Sequence, residues 1–216
     1  MDLSQFTPSS ALITVIVISL VPFVGVMVTA FTKIVVVLSL LRNALGLQQV
    51  PPNVVINGMA LVLTIYVMYP VGLQMAARAG NVQQIGSSTD ALLKAADGAK
   101  EPLRDFLLKH SNPREREFFL ATLRRGLEPA QAESMSERDL IVVVPAFVVS
   151  ELAGAFQIGF LVFLPFLVID LVVSNILMAL GMMMLSPTTV SLPFKLLLFV
   201  LIDGWVKLAH GLVLSY

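Results

Sequence analysis

Five Asp, Glu and Lys side chains stand in the last third of the chain, where almost every neighbour is apolar: Glu151, Asp170, Lys195, Asp203 and Lys207. On insertion scales each Asp, Glu or Lys at bilayer depth costs about 2.5 to 3.5 kcal/mol, so all five must face protein partners or water. Two chemistries are open to them. They can pair and hold helices in register, or they can form a pathway for protons or ions. The acids are not spaced as one relay and two lysines stand ready to pair, so pairing is the favoured reading. A cation in the first turn of a helix opposes the macrodipole. Lys195, two residues after Pro193, is therefore expected to answer a carboxylate such as Asp170 or Glu151, in the same copy or the next. Asp203 and Lys207 sit at i and i+4 in the favourable order on the last helical segment.

The same stretch contains the run Gly181-Met182-Met183-Met184-Leu185-Ser186-Pro187. Successive helical residues turn by about 100°, so three methionines in a row cannot share one helix face; from a loop before Ser186-Pro187 all three can project. Methionines near a helix end are ordinarily gap-filling core or lipid-facing residues, and the residues by themselves favour that reading.

Other chemistry is missing from the sequence. HExxH, GxSxG and Walker patterns do not occur. His110 and His210 lie in different parts of the chain and read as a surface residue near a helix end and an interfacial residue, with metal ligation a distant alternative. With no cysteine, disulfides, thiolate metal sites and cysteine nucleophiles are excluded. The net charge is zero and no basic stripe is interleaved with aromatics, so nucleic acid is not an expected partner. Neither catalysis nor a cofactor is expected.

The elements that must position these residues are membrane-type helices. The chain has 216 residues, 57% hydrophobic and 13% charged, with a mean hydropathy of +0.88, a composition rare in a water-soluble domain. Of its 28 Lys, Arg, Asp and Glu residues, twenty fall between Arg78 and Asp139, which marks three zones. Residues 1–77 read as an N-terminal apolar helical hairpin, 78–139 as a polar helical insert, and 140–216 as a C-terminal apolar hairpin carrying the methionine loop. The expected fold class is all-α.

Residues 11–31 lack charge and suffice for a span, and apolar character continues past Lys33 to Arg42. A continuous helix there would approach ~50 Å, with a kink expected at Pro22. The first six residues contain no Lys or Arg, so a cleaved signal is not expected. Gly46 and Pro51-Pro52 mark a connection, after which residues 54–77 form the second arm, its last turns weakened by Pro70. Arg42 and nearby Lys33 place the connection in the cytoplasm and the insert outside.

The insert reads as a small solvated domain of capped helices. One runs from a Ser88 cap to a stop at Gly98, a second opens at Pro102, and a third follows Asn112-Pro113 and ends at Gly126. Ser136-Glu137-Arg138-Asp139 matches a capping box. From Leu140 a helix can pass Pro145 and Pro165; to Leu185 it would measure ~69 Å, about twice a hydrocarbon core. A break is expected over residues 186–193, with a final helix over 194–214.

Several segments then look familiar together. They are Thr32-Lys33-Ile34-Val35-Val36-Val37, Leu41-Arg42-Asn43-Ala44, Gln48-Gln49-Val50-Pro51-Pro52-Asn53, Ser150-Glu151-Leu152, Ala155-Phe156-Gln157-Ile158-Gly159-Phe160 and Val168-Ile169-Asp170-Leu171. The methionine run, Leu192-Pro193-Phe194-Lys195-Leu196-Leu197-Leu198-Phe199-Val200 and Asp203-Gly204-Trp205 complete the set. The sequence resembles the SctR/FliP family, a core subunit of the bacterial type III secretion export apparatus, through both apolar zones and only weakly across the insert. Flagellar members carry a longer N-terminus with a signal peptide, so the injectisome branch is expected.

The resemblance implies an inner-membrane subunit that forms a pentamer and joins SctS/FliQ-like and SctT/FliR-like subunits in a helical, cone-shaped export gate. It also implies further export apparatus subunits as partners, unfolded secreted proteins as substrates, and a periplasmic insert. It reverses the reading of Met182, Met183 and Met184, which become a pore gasket. The alternative is a small-solute or proton-coupled transporter, which an inverted internal repeat would support; none is visible.

Overall fold

The computed structural model describes residues 16, 19–20, 22–79, 89–182 and 184–216. Among them every regular element is a helix: α1 (Phe31–Ala44), α2 (Asn53–Ala79), α3 (Thr89–His110), α4 (Pro113–Arg125), α5 (Pro129–Ser134), α6 (Leu140–Ala179), α7 (Pro187–Leu201) and α8 (Gly204–Leu214). The all-α expectation is met. Residues 11–15, Ser88 and Met183, which carried sequence expectations, lie outside the described residues.

The first apolar run is not one helix to Arg42. Residues 22–27 are helical, but the path turns at 28–30 before α1 begins. Thr32 Oγ1 donates to the Val26 carbonyl at 3.2 Å, and Thr29 Oγ1 does so at 3.4 Å. Side-chain hydroxyls here take a carbonyl that a continuing helix would use. The interruption falls on these threonines; residues 19–20 and 22–27 are helical, and the kink expected at Pro22 adjoins Val21, which lies outside the described residues. Gly46, at φ 75°, follows the end of α1 as expected, and Arg42 closes the connection by donating to Asn53 Oδ1 at 2.6 Å. Beyond it α2 runs uninterrupted past Pro70.

α1 is sandwiched between α2 and α6. Ala30, Ile34, Val37 and Leu38 pack on Ile56 and Ala60 of α2 and on Ala155 of α6. A second cluster joins the insert to the apolar zones, with Phe106 and Leu107 of α3 against Val143 and Phe147 of α6. Full burial of a side chain of that size contributes about 1.5 to 3 kcal/mol. The insert's helices thus share core with the apolar helices, and α4 lies along α6.

The insert departs from its expected helix limits. α3 is one helix of 22 residues that passes through both Gly98 and Pro102. A Cβ at Gly98 would stand 2.7 Å from the Arg78 carbonyl oxygen, so this glycine admits the end of α2 and does not stop α3. α4 begins as expected, with Asn112 Oδ1 accepting from the Arg114 N–H, Glu115 early and Arg124 and Arg125 late. The capping box forms in part. Asp139 Oδ2 accepts from the Ser136 N–H at 2.7 Å, but the residue capping α6 is Asp139, and Ser136 Oγ accepts from Arg138.

α6 spans 40 residues, about 60 Å, through Pro145 and Pro165. The expected break after it is confined to residues 180–186; α7 starts at Pro187 and carries Ser191 and Pro193 inside it. The last segment is not one helix either. α7 and α8 bend by 61° at Ile202-Asp203, where Asp203 adopts φ 53°. The Phe199 ring occupies the space where a Cβ on Gly204 would stand, which fixes that corner. Asn53–Arg78 and Leu140–Ala179 are each long and apolar enough to cross a bilayer, while α7 and α8 qualify only together.

Candidate functional site

The hairpin of α6 and α7 ends in the methionine run. Two backbone hydrogen bonds close α6: Met182 N–H donates to the Leu177 carbonyl at 2.9 Å, and Gly181 N–H to the Met178 carbonyl at 3.0 Å. With Gly181 at φ 72° this is a Schellman motif, and glycine is the residue that adopts that conformation without strain. The chain turns abruptly and reaches α7 through Ser186. Met182 is 48% exposed and Met184 101% exposed. Within this chain Met184 fills no gap, so the packing reading fails for it as intramolecular core.

Of the five charges, Glu151 and Lys195 are buried and Asp170 is partly buried, in two separate clusters. Glu151, 2% exposed, receives Lys33 Nζ at 2.9 Å on Oε1 and the Tyr216 phenol on Oε2. Lys33 Nζ also lies 4.1 Å from the centroid of the Tyr216 ring, a cation–π contact. Tyr216 stacks on Phe106 and touches His110, tying the insert to this pair. The second cluster joins α1, α6 and α7. Lys195, 3% exposed, donates to Asp170 Oδ2 at 2.6 Å and to the Ala44 carbonyl at 3.2 Å, and Ser191 Oγ donates to Asp170 Oδ1.

These partners sort the expectations. Lys195 answers Asp170 as expected, but it is not in the first turn of its helix, because α7 starts at Pro187. Its ammonium sits instead at the C-terminal end of α1, where a free carbonyl and the macrodipole both favour a cation. Glu151 pairs with Lys33, which the sequence reading treated only as a topology marker. Asp203 and Lys207 do not pair: both side chains are exposed, and no ion pair joins them among the described residues. Asp203 lies at the bend, off the helical path that an i, i+4 contact needs.

Lys33, Tyr216 and Ser191 are the residues that sequence reasoning missed. A lysine inside an apolar run is the signal that could have found Lys33, since a cation there requires an anion. His110 is half-buried against Phe106 and Tyr216, not a free surface residue. Burial, then Lys109 and Lys33, lower its pKa from 6.5 to about 4.

The FliP family model matches residues 13–212. The chain is 50% identical over 211 residues to the hypersensitivity response secretion protein HrcR of Ralstonia nicotianae, covering 96% of this chain and 97% of that one. It is 49% identical over 207 residues to the Yop proteins translocation protein R of Yersinia pestis, covering 95% and 94%. Similarity to the virulence protein YscR of Salmonella typhimurium is 45% over 204 residues, covering 92% of each.

Proposed function

The chain belongs to the FliP family, and on that premise we propose that it is a core subunit of a type III secretion export gate of the injectisome branch, through which unfolded proteins leave the cell. The relatives' names refer to secretion, translocation and virulence, which supports this branch and gives no support to a small-solute or proton-coupled transporter. The subunit acts structurally: it forms a pentamer in the bacterial inner membrane with SctS/FliQ-like and SctT/FliR-like partners, in a helical cone. The insert lies on the periplasmic side, as the charge of Arg42 near the α1–α2 connection favours.

The observation that carries the proposal is the methionine hairpin. Among the described residues, the fully exposed Met184 and the half-exposed Met182 stand on a turn closed by two backbone hydrogen bonds, which supports a gasket contributed by several subunits. Met182, Met183 and Met184 close the pore to ions and deform around a passing chain. Glu151, Asp170 and Lys195 fix the shape that each subunit brings to assembly, and Asp203 and Lys207, exposed at the bend, are left for neighbouring subunits.

Electron microscopy of the protein purified with the products of its neighbouring genes tests the reading. Five copies in a cone-shaped complex with SctS/FliQ-like and SctT/FliR-like partners are expected. A chain that purifies alone and drives solute uptake in vesicles would overturn it.

A further inference from the structure

From the way α7 is fastened to α6, we infer that Asp170, Ser191 and Lys195 form a register clasp that positions the methionine loop. The inference rests on the proposed gasket and assigns positioning residues to it.

Both oxygens of Asp170 are engaged by side chains one helical turn apart on α7, Ser191 and Lys195. Both of those are buried, Ser191 at 0% and Lys195 at 3% exposed, and Lys195 is held in turn by Ala44 at the end of α1. Nine residues of α6 follow Asp170 to the end of that helix at Ala179, and four of α7, from Pro187, precede Ser191. Among the described residues, no side-chain hydrogen bond or ion pair joins α6 to α7 beyond the clasp toward the tip. What remains there is apolar: a groove of about 440 Å³ lined by Val168, Val172, Ile176, Val190 and Phe194 runs between the two helices.

Apolar contact is non-directional and tolerates sliding, whereas a carboxylate held by two buried donors accepts one register. Slipping α7 by one helical turn along α6 would displace the loop by about 5 Å, enough to open a ring of side chains. The bond to Ala44 refers that register to α1, so the loop's height is set against the body of the subunit.

The chain has no cysteine, so nitroxide labels can be placed on Asn43→Cys near the end of α1 and Ser186→Cys at the loop, both exposed. Distances are measured by pulsed electron resonance in gates assembled with their partner subunits, with labelled copies diluted in unlabelled ones. Asp170→Asn and the milder Ser191→Ala are expected to shift or broaden the 43–186 distance by up to about 5 Å. The exchange Asp170→Lys with Lys195→Asp should restore it in part, and Glu151→Gln, in the other cluster, should leave it unchanged.

An unmoved loop in assembled Ser191→Ala gates, or an equal displacement by Glu151→Gln, overturns the clasp. Ion conductance of the same gates separates the two proposals. A displaced loop with at least about three-fold greater leak supports both; a displaced loop without leak keeps the clasp and removes the gasket.

Discussion

Lys33 Nζ and Glu151 Oε1 stand 2.9 Å apart, with side chains 9% and 3% exposed, and the pair joins α1 to the first third of α6. Removing one partner strands the other in a buried site, which costs about 3 to 5 kcal/mol, whereas replacing both with apolar residues of similar volume is often neutral. Glu151→Ala is therefore expected to weaken the pentamer on native gels. The double replacement Lys33→Met with Glu151→Leu should recover most of it. A normal pentamer in Glu151→Ala, with secretion alone abolished, would assign Glu151 to a conducting pathway.

Topology can be read by labelling single cysteines with an impermeant maleimide. Ser111 looks suitable in the sequence, but it is buried and accepts a hydrogen bond from Arg116. Thr122 on α4 and Gln48 in the α1–α2 connection are exposed. Thr122→Cys should react in intact spheroplasts and Gln48→Cys only after lysis; the reverse pattern would place the insert in the cytoplasm.

Replacing Met182, Met183 and Met184 together by alanine should leave assembly intact, because Met184 is fully exposed and Met182 about half exposed in the subunit. Small-ion leak through the gate should rise. Unchanged conductance in a correctly assembled triple variant would remove the gasket role.

His110 gives the fold a pH dependence outside the apolar helices. Its pKa falls from 6.5 to about 4 on folding, chiefly through burial and then through Lys109 and Lys33. Between those values the unfolded chain binds the proton and the folded chain does not, so stability is complete above pH 6.5 and declines as pH falls toward 4. Thermal unfolding in detergent should show a smaller loss between pH 7 and 4.5 for His110→Phe than for the unaltered protein. Equal losses would show that His110 does not govern this acid response.

The sequence by itself determined the features whose causes act within a few residues. Gly46 ends a helix, Asn112 opens α4, and the two apolar zones flank a charged insert, because capping and hydropathy are local. It also required that buried charges find partners, and Lys195 does find Asp170. Tertiary structure decided which partners the others take. Lys33 meets Glu151 only because α1 packs between α2 and α6. Packing also overrode local signals: Gly98 stays inside α3 because the Arg78 carbonyl needs its missing Cβ, and the bend at Asp203 exists because the Phe199 ring fills the space beside Gly204. Local chemistry sets where a helix can end; close approach of segments distant in the chain sets where it does, and which charges meet.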